Sequence, residues 1–365
     1  MSWKLPRFRA GDLVEVLSRE EVLATLDDQG CVEGLPFMPE MLAYCGRQFR
    51  VSAVAHKTCE TAHKTWKGRR LDATVHLAGL RCDGAAHGGC QAECNLFWKE
   101  VWLKPAGAES SLSPPRGVAA GCSETQLRAL AVGGMADGPA SDPARQRYAC
   151  QATRLYAATR PLAWWNPRQY VRDITTRNHS WGHVARVLFL QTLSYVALHT
   201  PIAWRLINGF RERIHRRWTG CDVPDVKGAI PAGERTPTSR LDLRPGELVR
   251  VKSKEEILRT IDVRQLNRGL SFDVEMTPYC GKVFRVRRIV RQILDELTGE
   301  MMHMGQPCIV LEGVVCGSRY SECRLMCPRA ITPYWREIWL ERVAVQPSDD
   351  ASPALVAIES SVPHA

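Results

Sequence analysis

Polar and apolar residues alternate in two short stretches of the chain, Leu13–Val16 and Leu248–Val251, each of which follows a glycine and an acidic residue. Alternation with a period of two predicts β-strands that bury one face. Each stretch is followed by the pattern Ser-x-x-Glu, which begins at Ser18 in the first case and at Ser253 in the second. This pattern is typical of a capping box, so a short helix is predicted to begin after each serine.

The order of elements recurs because the sequence itself is repeated. Residues 11–51 and 246–286 align without a gap, at a constant offset of 235 positions. A repeat of this length indicates a duplicated folding unit. Each copy ends on the phrase Trp-x-x-x-Trp-Leu, for which alternation predicts a closing strand with Trp98, Glu100 and Trp102 on one side. The other predicted strands are 48–54 and 74–80 in the first copy and 283–290 and 308–315 in the second.

Several short strands and one small helix per copy are typical of a small, partly open β-barrel. The Gly-Asp opening strand, the segment Leu35–Val51 and the Trp-x-x-x-Trp-Leu ending resemble SH3-like barrels, most closely the C-terminal barrel of the nitrile hydratase β subunit. This resemblance implies a barrel fold and no activity, because the catalytic metal of that family is held by its other subunit, whose cysteine motif does not occur here. The whole chain also resembles a group of bacterial proteins with the same duplicated layout, a resemblance that implies no activity.

The composition between the two copies differs from that of the copies themselves. A stretch rich in Ala, Gly, Ser and Pro is typical of a linker, and the apolar and basic stretch after it is typical of helices. The sequence therefore predicts a mainly β fold with an α-helical insert, an α+β protein in which a basic helical segment joins two SH3-like barrels. The predicted units are the first barrel at 8–105, a flexible linker at 106–147, the helical segment at 148–218, a second linker at 219–243, the second barrel at 244–345 and a disordered tail at 346–365.

Positive charge is concentrated in the predicted helical segment. The chain has a formal net charge of +10, and residues 154–217 hold eleven arginines against one aspartate and one glutamate. Within this segment Val187–Trp204 is uncharged, which is at the lower limit of length for a membrane span and favours a helix docked on the barrels or lying along a membrane surface. An anionic membrane surface and, as an alternative, nucleic acid are therefore candidate partners. The arginines expected to contact the anion are Arg186, Arg205, Arg211, Arg213, Arg216 and Arg217.

The cysteines form similar patterns in the two copies. No apolar run typical of a secretion signal begins the chain, so a cytoplasmic location is expected, with the inner face of the membrane as the alternative. The fourteen cysteines are then expected to be reduced side chains of the core or metal ligands. Four thiolates per copy match a zinc site, which is favoured over an iron–sulfur cluster. The candidate ligands are Cys45, Cys82, Cys90 and Cys94 in the first copy and Cys280, Cys316, Cys323 and Cys327 in the second, with His56, Cys59, His87 and Cys308 as additional donors.

Motifs of common enzyme classes are absent from the sequence. It contains no phosphate-binding glycine loop, no nucleophile elbow and no His-Glu-x-x-His pattern. The sequence therefore favours a non-catalytic binding or scaffold protein with candidate zinc sites and an unidentified protein partner, and no catalytic residue is assigned. Three alternatives stay open: a peripheral membrane accessory protein, an enzyme that uses the His and Cys residues of the first copy, and a nucleic-acid-binding protein.

Overall fold

The computed structural model of the protein describes residues 6–65, 67–107, 121–133, 145–200, 204–219, 224–320 and 324–343. These residues form helices together with several antiparallel sheets, so the expected α+β class is confirmed. The predicted tail at 346–365 and the candidate ligand Cys323 lie outside the described residues. No helix in the described ranges is both long and apolar enough to cross a membrane.

The first copy is built around an antiparallel sheet. Its opening strand and its strand at 48–54 have the bounds predicted from the sequence. The predicted capping box is also present: the Glu21 N–H donates to the Ser18 hydroxyl at 3.2 Å, and the Ser18 N–H donates to the Glu21 carboxylate at 2.8 Å. The elements are β1 (Leu13–Val16), α1 (Arg19–Thr25), β2 (Cys31–Val32), β3 (Leu35–Pro36), β4 (Gln48–Val54), β5 (Lys57–Cys59), β6 (Gly68–Arg70), β7 (Thr74–Leu77), β8 (Trp98–Lys99) and β9 (Leu103–Pro105).

A 3-10 turn at Glu100–Trp102 interrupts the predicted closing strand. The sheet order is β8-β7-β4-β1-β9, so the short turn joins its two edge strands, and these edges lie close together. The predicted alternation is therefore wrong at this point. The turn allows both Trp98 and Trp102 to be buried, with ring centroids 6.1 and 5.1 Å from that of Phe37, and it leaves Val101 exposed. Burial of two large aromatic side chains outweighs the regular strand geometry.

The segment between the copies is largely helical and is packed on the first copy. Part of the predicted linker at 106–147 is a helix, and its Leu127 and Ala131 belong to the core of the first copy. The linker prediction is therefore wrong for these residues, because their apolar spacing was hidden in an alanine-rich stretch. The elements of this segment are α2 (Glu124–Ala131), α3 (Gln151–Arg154), β10 (Arg160–Pro161), α4 (Pro167–Thr175), α5 (Trp181–His199) and α6 (Trp204–Thr219).

A buried ion pair fastens α4 to the first copy. The Lys57 ammonium lies 2.6 Å from the Asp173 carboxylate, and His56 Nε2 lies 3.3 Å from the other oxygen of that carboxylate. Beside this pair, the Asn178 side-chain amide exchanges two hydrogen bonds with the Val54 backbone, at 2.8 and 2.9 Å. The helical segment is thus attached to the first copy by polar groups that are buried and paired.

The second copy repeats the plan of the first with longer central strands. Its sheet order is β15-β14-β11-β16, and a 3-10 turn at Glu337–Trp339 again precedes the last strand. The strand predicted at 283–290 begins as predicted but continues to Leu294, and the strand predicted at 308–315 runs instead from Met301 to Leu311. The hairpin is longer than predicted because it continues through polar residues that find partners on the first copy. The elements are β11 (Leu248–Val251), α7 (Lys254–Leu258), β12 (Leu266–Asn267), β13 (Leu270–Ser271), β14 (Val283–Leu294), β15 (Met301–Leu311) and β16 (Leu340–Arg342).

The tip of the β14–β15 hairpin packs against the first copy. Leu294 is buried in the hydrophobic core of that copy, and Met301 packs against it. The Gln91 N–H donates to the Gln292 carbonyl at 3.1 Å, and the Arg291 N–H donates to the Gln91 side-chain oxygen at 2.6 Å. The two copies therefore share a core and a set of main-chain contacts.

Replacement of Asp173 by alanine is expected to destabilise the protein strongly. The change leaves the Lys57 ammonium buried without its counter-ion, for which a loss of about 3–5 kcal/mol in the free energy of unfolding is expected. Urea denaturation at pH 7 measures this loss. Arg240→Ala is the matched control, since its partner Asp242 lies 2.7 Å away at an exposed position, and it should cost no more than about 1 kcal/mol. Equal losses in the two variants would contradict the expectation.

The ion pair between Lys57 and Asp173 makes the free energy of unfolding depend on pH in the acid range. Burial by itself raises the pKa of the Asp173 carboxyl, but Lys57 and His56 outweigh this effect and hold the pKa below its usual range. The stabilisation is complete above the unfolded pKa of about 3.9 and is lost as the pH falls through the lower folded pKa. The difference in stability between wild type and Asp173→Ala should therefore narrow in that acid range.

Candidate metal site

The cysteine-rich loop of the first copy, residues 82–94, closes on itself between β7 and β8. The Cys82 N–H donates to the Cys94 carbonyl at 2.8 Å, which joins the two ends of the loop. Gly84 has a φ of +77°, and a Cβ at this position would lie 1.9 Å from the Cys90 carbonyl oxygen. Only glycine fits there, so the glycine-rich composition is what allows the loop to turn inward. This turn places the His87 side chain in the protein interior, where it is 1% exposed.

His87 meets a thiol and a carboxylate in the interior. Its Nε2 lies 3.3 Å from Cys82 Sγ, which in turn lies 3.4 Å from Glu40 Oε1. His87 Nδ1 lies 3.8 Å from the same carboxylate oxygen. Glu40 comes from a 3-10 helix at Pro39–Tyr44. In the described part of the chain this is the one group of three or more His, Cys, Asp and Glu residues whose ligand atoms all lie within 4.8 Å of one another.

Burial shapes the protonation of all three groups. It raises the pKa of the Cys82 thiol and of the Glu40 carboxyl, and it lowers the pKa of His87 to about 4. The imidazole is therefore neutral at pH 7, as a metal ligand must be. Glu40 Oε2 and His87 Nδ1 are buried and find no hydrogen-bond partner among the described residues. A buried polar atom left without a partner costs about 1–3 kcal/mol, so this site lacks something that would satisfy it.

The second copy provides an internal comparison. Glu275 aligns with Glu40 at the constant offset of the repeat. Its carboxylate accepts the N–H groups of Arg319 at 2.9 Å and Tyr320 at 2.7 Å. The second copy thus uses the repeated carboxylate to hold its own loop by hydrogen bonds. The first copy lacks these amides at the same place and has Cys82 and His87 there instead.

Three of the four cysteines expected to act together in the first copy line one cavity, and the fourth, Cys45, lies apart from it. Cys45 lies near Arg19 and Glu20 of α1. Cys90 and Cys94 instead line a cavity of about 250 Å³, together with Cys82, His87 and Cys150. The Cys90 sulfur is already a hydrogen-bond acceptor for the Leu294 N–H at 3.3 Å.

Among the described members of the set expected in the second copy, Cys316 and Cys327 lie near each other and Cys280 lies apart. Cys280 lies near Lys254 and Glu255 of α7, in the place that Cys45 occupies in the first copy. Cys316 lies 3.5 Å from the Ser318 hydroxyl. The remaining candidates have partners of other kinds. Cys327 contacts Cys59 across the two copies through a thiol–thiol hydrogen bond, Cys308 contacts the Arg336 guanidinium, and His56 contacts Asp173.

The candidate arginines lie apart from this site, on α5 and α6. Four of them are exposed, namely Arg205, Arg213, Arg216 and Arg217. Arg186 and Arg211 are half-buried, and Arg211 donates to the Ser194 hydroxyl at 2.8 Å. The candidate thiol ligands and the candidate arginines therefore lie in different parts of the fold.

Comparison with protein-family models, with curated proteins and with solved structures found no match for this chain. The resemblance to SH3-like barrels therefore stays an expectation that rests on the sequence. The site has to be interpreted from its own donor atoms.

The donor set suits a divalent ion of the zinc class. A thiolate and a carboxylate together carry a charge of −2, and the neutral imidazole adds none. A divalent ion with these three ligands forms an uncharged unit, which a buried site can hold at low electrostatic cost. Thiolate and imidazole ligands favour zinc over calcium or magnesium. An iron–sulfur cluster is held mainly by thiolates, so the mixed set does not suit it.

Sequence reasoning identified Cys82 and His87 but missed Glu40 and Cys150. Glu40 was visible as one of the identities between the copies. Its identity with Glu275 concealed its role, because the same residue performs different tasks in the two environments. No pattern linked Cys150 to the loop, because it belongs to the helical segment and reaches the cavity only through tertiary packing.

The two aligned glutamates are expected to respond differently to the same change. Glu275→Gln replaces an oxygen that accepts a backbone N–H by an amide that repels it, so a loss of about 1–3 kcal/mol in the free energy of unfolding is expected. Glu40→Gln removes a carboxylate that holds no backbone N–H of the 82–94 loop and has a raised pKa, so metal-free protein should lose less than about 1 kcal/mol. Urea denaturation in the presence of a chelator compares them. Equal destabilisation would show that the two glutamates have the same structural task.

Proposed function

We propose that the protein is a non-catalytic scaffold of two SH3-like barrels that binds one zinc ion through Glu40, Cys82 and His87. The observation that carries this proposal is the buried contact between His87, Cys82 and Glu40, in which two polar atoms have no partner. The edge-to-edge connection through a 3-10 turn in each copy supports the barrel assignment.

The position of the site suggests what the ion does for the scaffold. The Gln292 side chain donates to the carbonyls of Gly88 at 3.0 Å and Gly89 at 3.2 Å, directly after His87. An ion bound by His87 would therefore order a loop that also contacts the second copy. In this proposal zinc stabilises the contact between the copies, and the assembled pair presents the surface that binds a partner.

Zinc binding is expected at one ion per chain. Protein purified without a histidine tag should contain close to one equivalent by elemental analysis, and chelated protein should take up one equivalent of added zinc. Cys82→Ala and His87→Ala should each weaken zinc binding by about 100-fold or more, since loss of an outer-sphere partner alone costs 10–100-fold. A competition titration with a chromophoric chelator measures this affinity.

The second copy supplies the control for this experiment. Cys316→Ala, at the cysteine that follows the corresponding strand of the second copy, should bind zinc as the wild type does. A protein with no zinc, or with zinc that is lost equally in Cys82→Ala and Cys316→Ala, would overturn the proposal. Circular dichroism of each variant separates loss of the site from loss of folding.

One observation favours a second candidate function, that of a metal-dependent enzyme. The site has three donors, and two of them, Cys82 and His87, border the cavity of about 250 Å³. Three protein ligands with an open position are typical of catalytic zinc, whereas structural zinc has four. Cys90, Cys94 and Cys150 line the same cavity, and a further ligand from among them would close the site.

Cobalt substitution distinguishes the scaffold from the enzyme. In cobalt-loaded protein the visible spectrum reports on the coordination sphere. If zinc has a structural role, added azide or imidazole should leave the spectrum unchanged, because no position is open to exchange. A spectrum that changes on titration would instead favour the enzyme.

A further inference from the structure

Exposed apolar residues are concentrated in the helical segment. Nine of the sixteen large apolar residues that are exposed in the described part of the chain lie between positions 165 and 218. Leu206 is 80% exposed, Trp181 71% and Trp165 69%. Single exposed apolar residues are ordinary on a protein surface, but a contiguous group of them marks an interaction site. The nine residues are Trp165, Val171, Trp181, Phe189, Tyr195, Val196, Leu206, Phe210 and Trp218.

Helix α5 is apolar on two different faces. Val184 is buried in a cluster with Tyr170, Leu325 and Met326, so this face docks the helix on the protein. A second face is exposed and contains no Asp, Glu, Lys or Arg. Its members follow a helical spacing and are Trp181, Ala185, Phe189, Thr192, Val196 and His199. A helix that faces only water is expected to be polar on its outer side, and α5 is not.

Helix α6 extends this surface and adds positive charge. The Phe189 and Trp218 rings lie with centroids 5.9 Å apart, and Arg211 donates to Ser194 at 2.8 Å. Both contacts fit one antiparallel register, in which Val196 of α5 lies level with Phe210 of α6. The exposed residues of α6 include Leu206, Phe210, Arg213 and Arg217, whose spacing places them on one stripe of the helix, and Arg205 is exposed as well. Apolar and basic residues are therefore adjacent on one surface.

The charge of this surface is almost entirely positive. From Trp181 to Thr219 the sequence contains six arginines and one acidic residue, Glu212. The Glu212 carboxylate accepts a hydrogen bond from Asn208 at 2.9 Å and is half-buried. A second copy of the same face would meet this charge with its own, so pairing between two hairpins is electrostatically disfavoured.

We infer that the α5–α6 hairpin, formed by the helices Trp181–His199 and Trp204–Thr219, lies along the surface of an anionic lipid bilayer. The exposed aromatic and aliphatic side chains would enter the boundary between headgroups and acyl chains, and Arg205, Arg213 and Arg217 would meet lipid phosphates. This pairing of charge with adjacent apolar side chains is what a lipid surface requires. Nucleic acid fits less well, because its phosphates cannot use the uncharged face of α5, and the aliphatic Leu206 cannot stack on a base.

Vesicle flotation tests this inference with two kinds of variant. Wild-type protein should float with vesicles that contain phosphatidylglycerol and stay at the bottom with vesicles of phosphatidylcholine alone. The triple variant Arg205→Gln, Arg213→Gln, Arg217→Gln should bind the anionic vesicles about 100-fold more weakly, given the usual contribution of each basic residue near a charged bilayer. The double variant Leu206→Gln, Phe210→Gln should also lose binding, because charge alone does not insert into the boundary.

A second triple variant is the matched control. Arg235→Gln, Arg240→Gln, Arg259→Gln removes the same charge from exposed positions outside the hairpin and should float as the wild type does. Circular dichroism confirms that each variant is folded. Absence of flotation at low salt, equal loss in both triple variants, or full binding by the double variant would each overturn the inference. Binding of the wild type to duplex DNA but not to vesicles would also overturn it. The same holds if the wild type does not float but self-associates, and the double variant abolishes that self-association.

Discussion

Arg329 is the buried charge on which the relation between the two copies depends. Its guanidinium donates to the Cys59 carbonyl at 3.2 Å, to the Thr61 hydroxyl at 2.6 Å and to the Glu296 carboxylate at 2.9 Å. Two of these partners belong to the first copy and one to the second. A guanidinium removed from water must keep all its partners, so the copies cannot separate without exposing or unpairing this charge. The same contact positions the β14–β15 hairpin over the cysteine-rich loop and encloses the cavity beside it.

Duplication has preserved the parts of each copy that determine its shape. The indole N–H of Trp102 donates to the Thr25 hydroxyl at 3.1 Å, and that of Trp339 donates to the Thr260 hydroxyl at 2.9 Å. Each 3-10 turn contains a glutamate that accepts backbone N–H groups from the residues just before its copy. The donor to Glu100 is Arg7, and the donors to Glu337 are Leu241 and Leu243. Because these contacts already stabilise the scaffold, the loop after the central strands was free to differ. In the first copy that freedom placed an imidazole where the second copy has backbone amides.

Local sequence patterns were sufficient to predict the elements that are stabilised by contacts between residues close in sequence. Strand β1 and the capping box at Ser18 depend on neighbouring residues, and both were predicted correctly. The 3-10 turn at Glu100–Trp102 and the extension of β14 to Leu294 depend on contacts with residues distant in sequence, and both were missed. The candidate metal ligands show the same limit. Cysteine spacing shows that thiols recur, but it does not show which of them face one another, and Cys45 faces a different part of the copy from Cys82.

The candidate metal site and the α5–α6 hairpin differ in whether their unpaired groups are buried or solvated. At the candidate metal site the atoms without a partner are buried, so binding of an ion there would add to the stability of the folded protein. On the α5–α6 hairpin the exposed side chains are solvated, and the buried face of α5 already packs on the protein through Val184. The outer apolar face therefore contributes nothing to this packing, and its exposure works against solubility. A surface of that kind persists most simply when an external apolar and anionic phase covers it, which is why the hairpin is assigned to a bilayer and the loop to an ion.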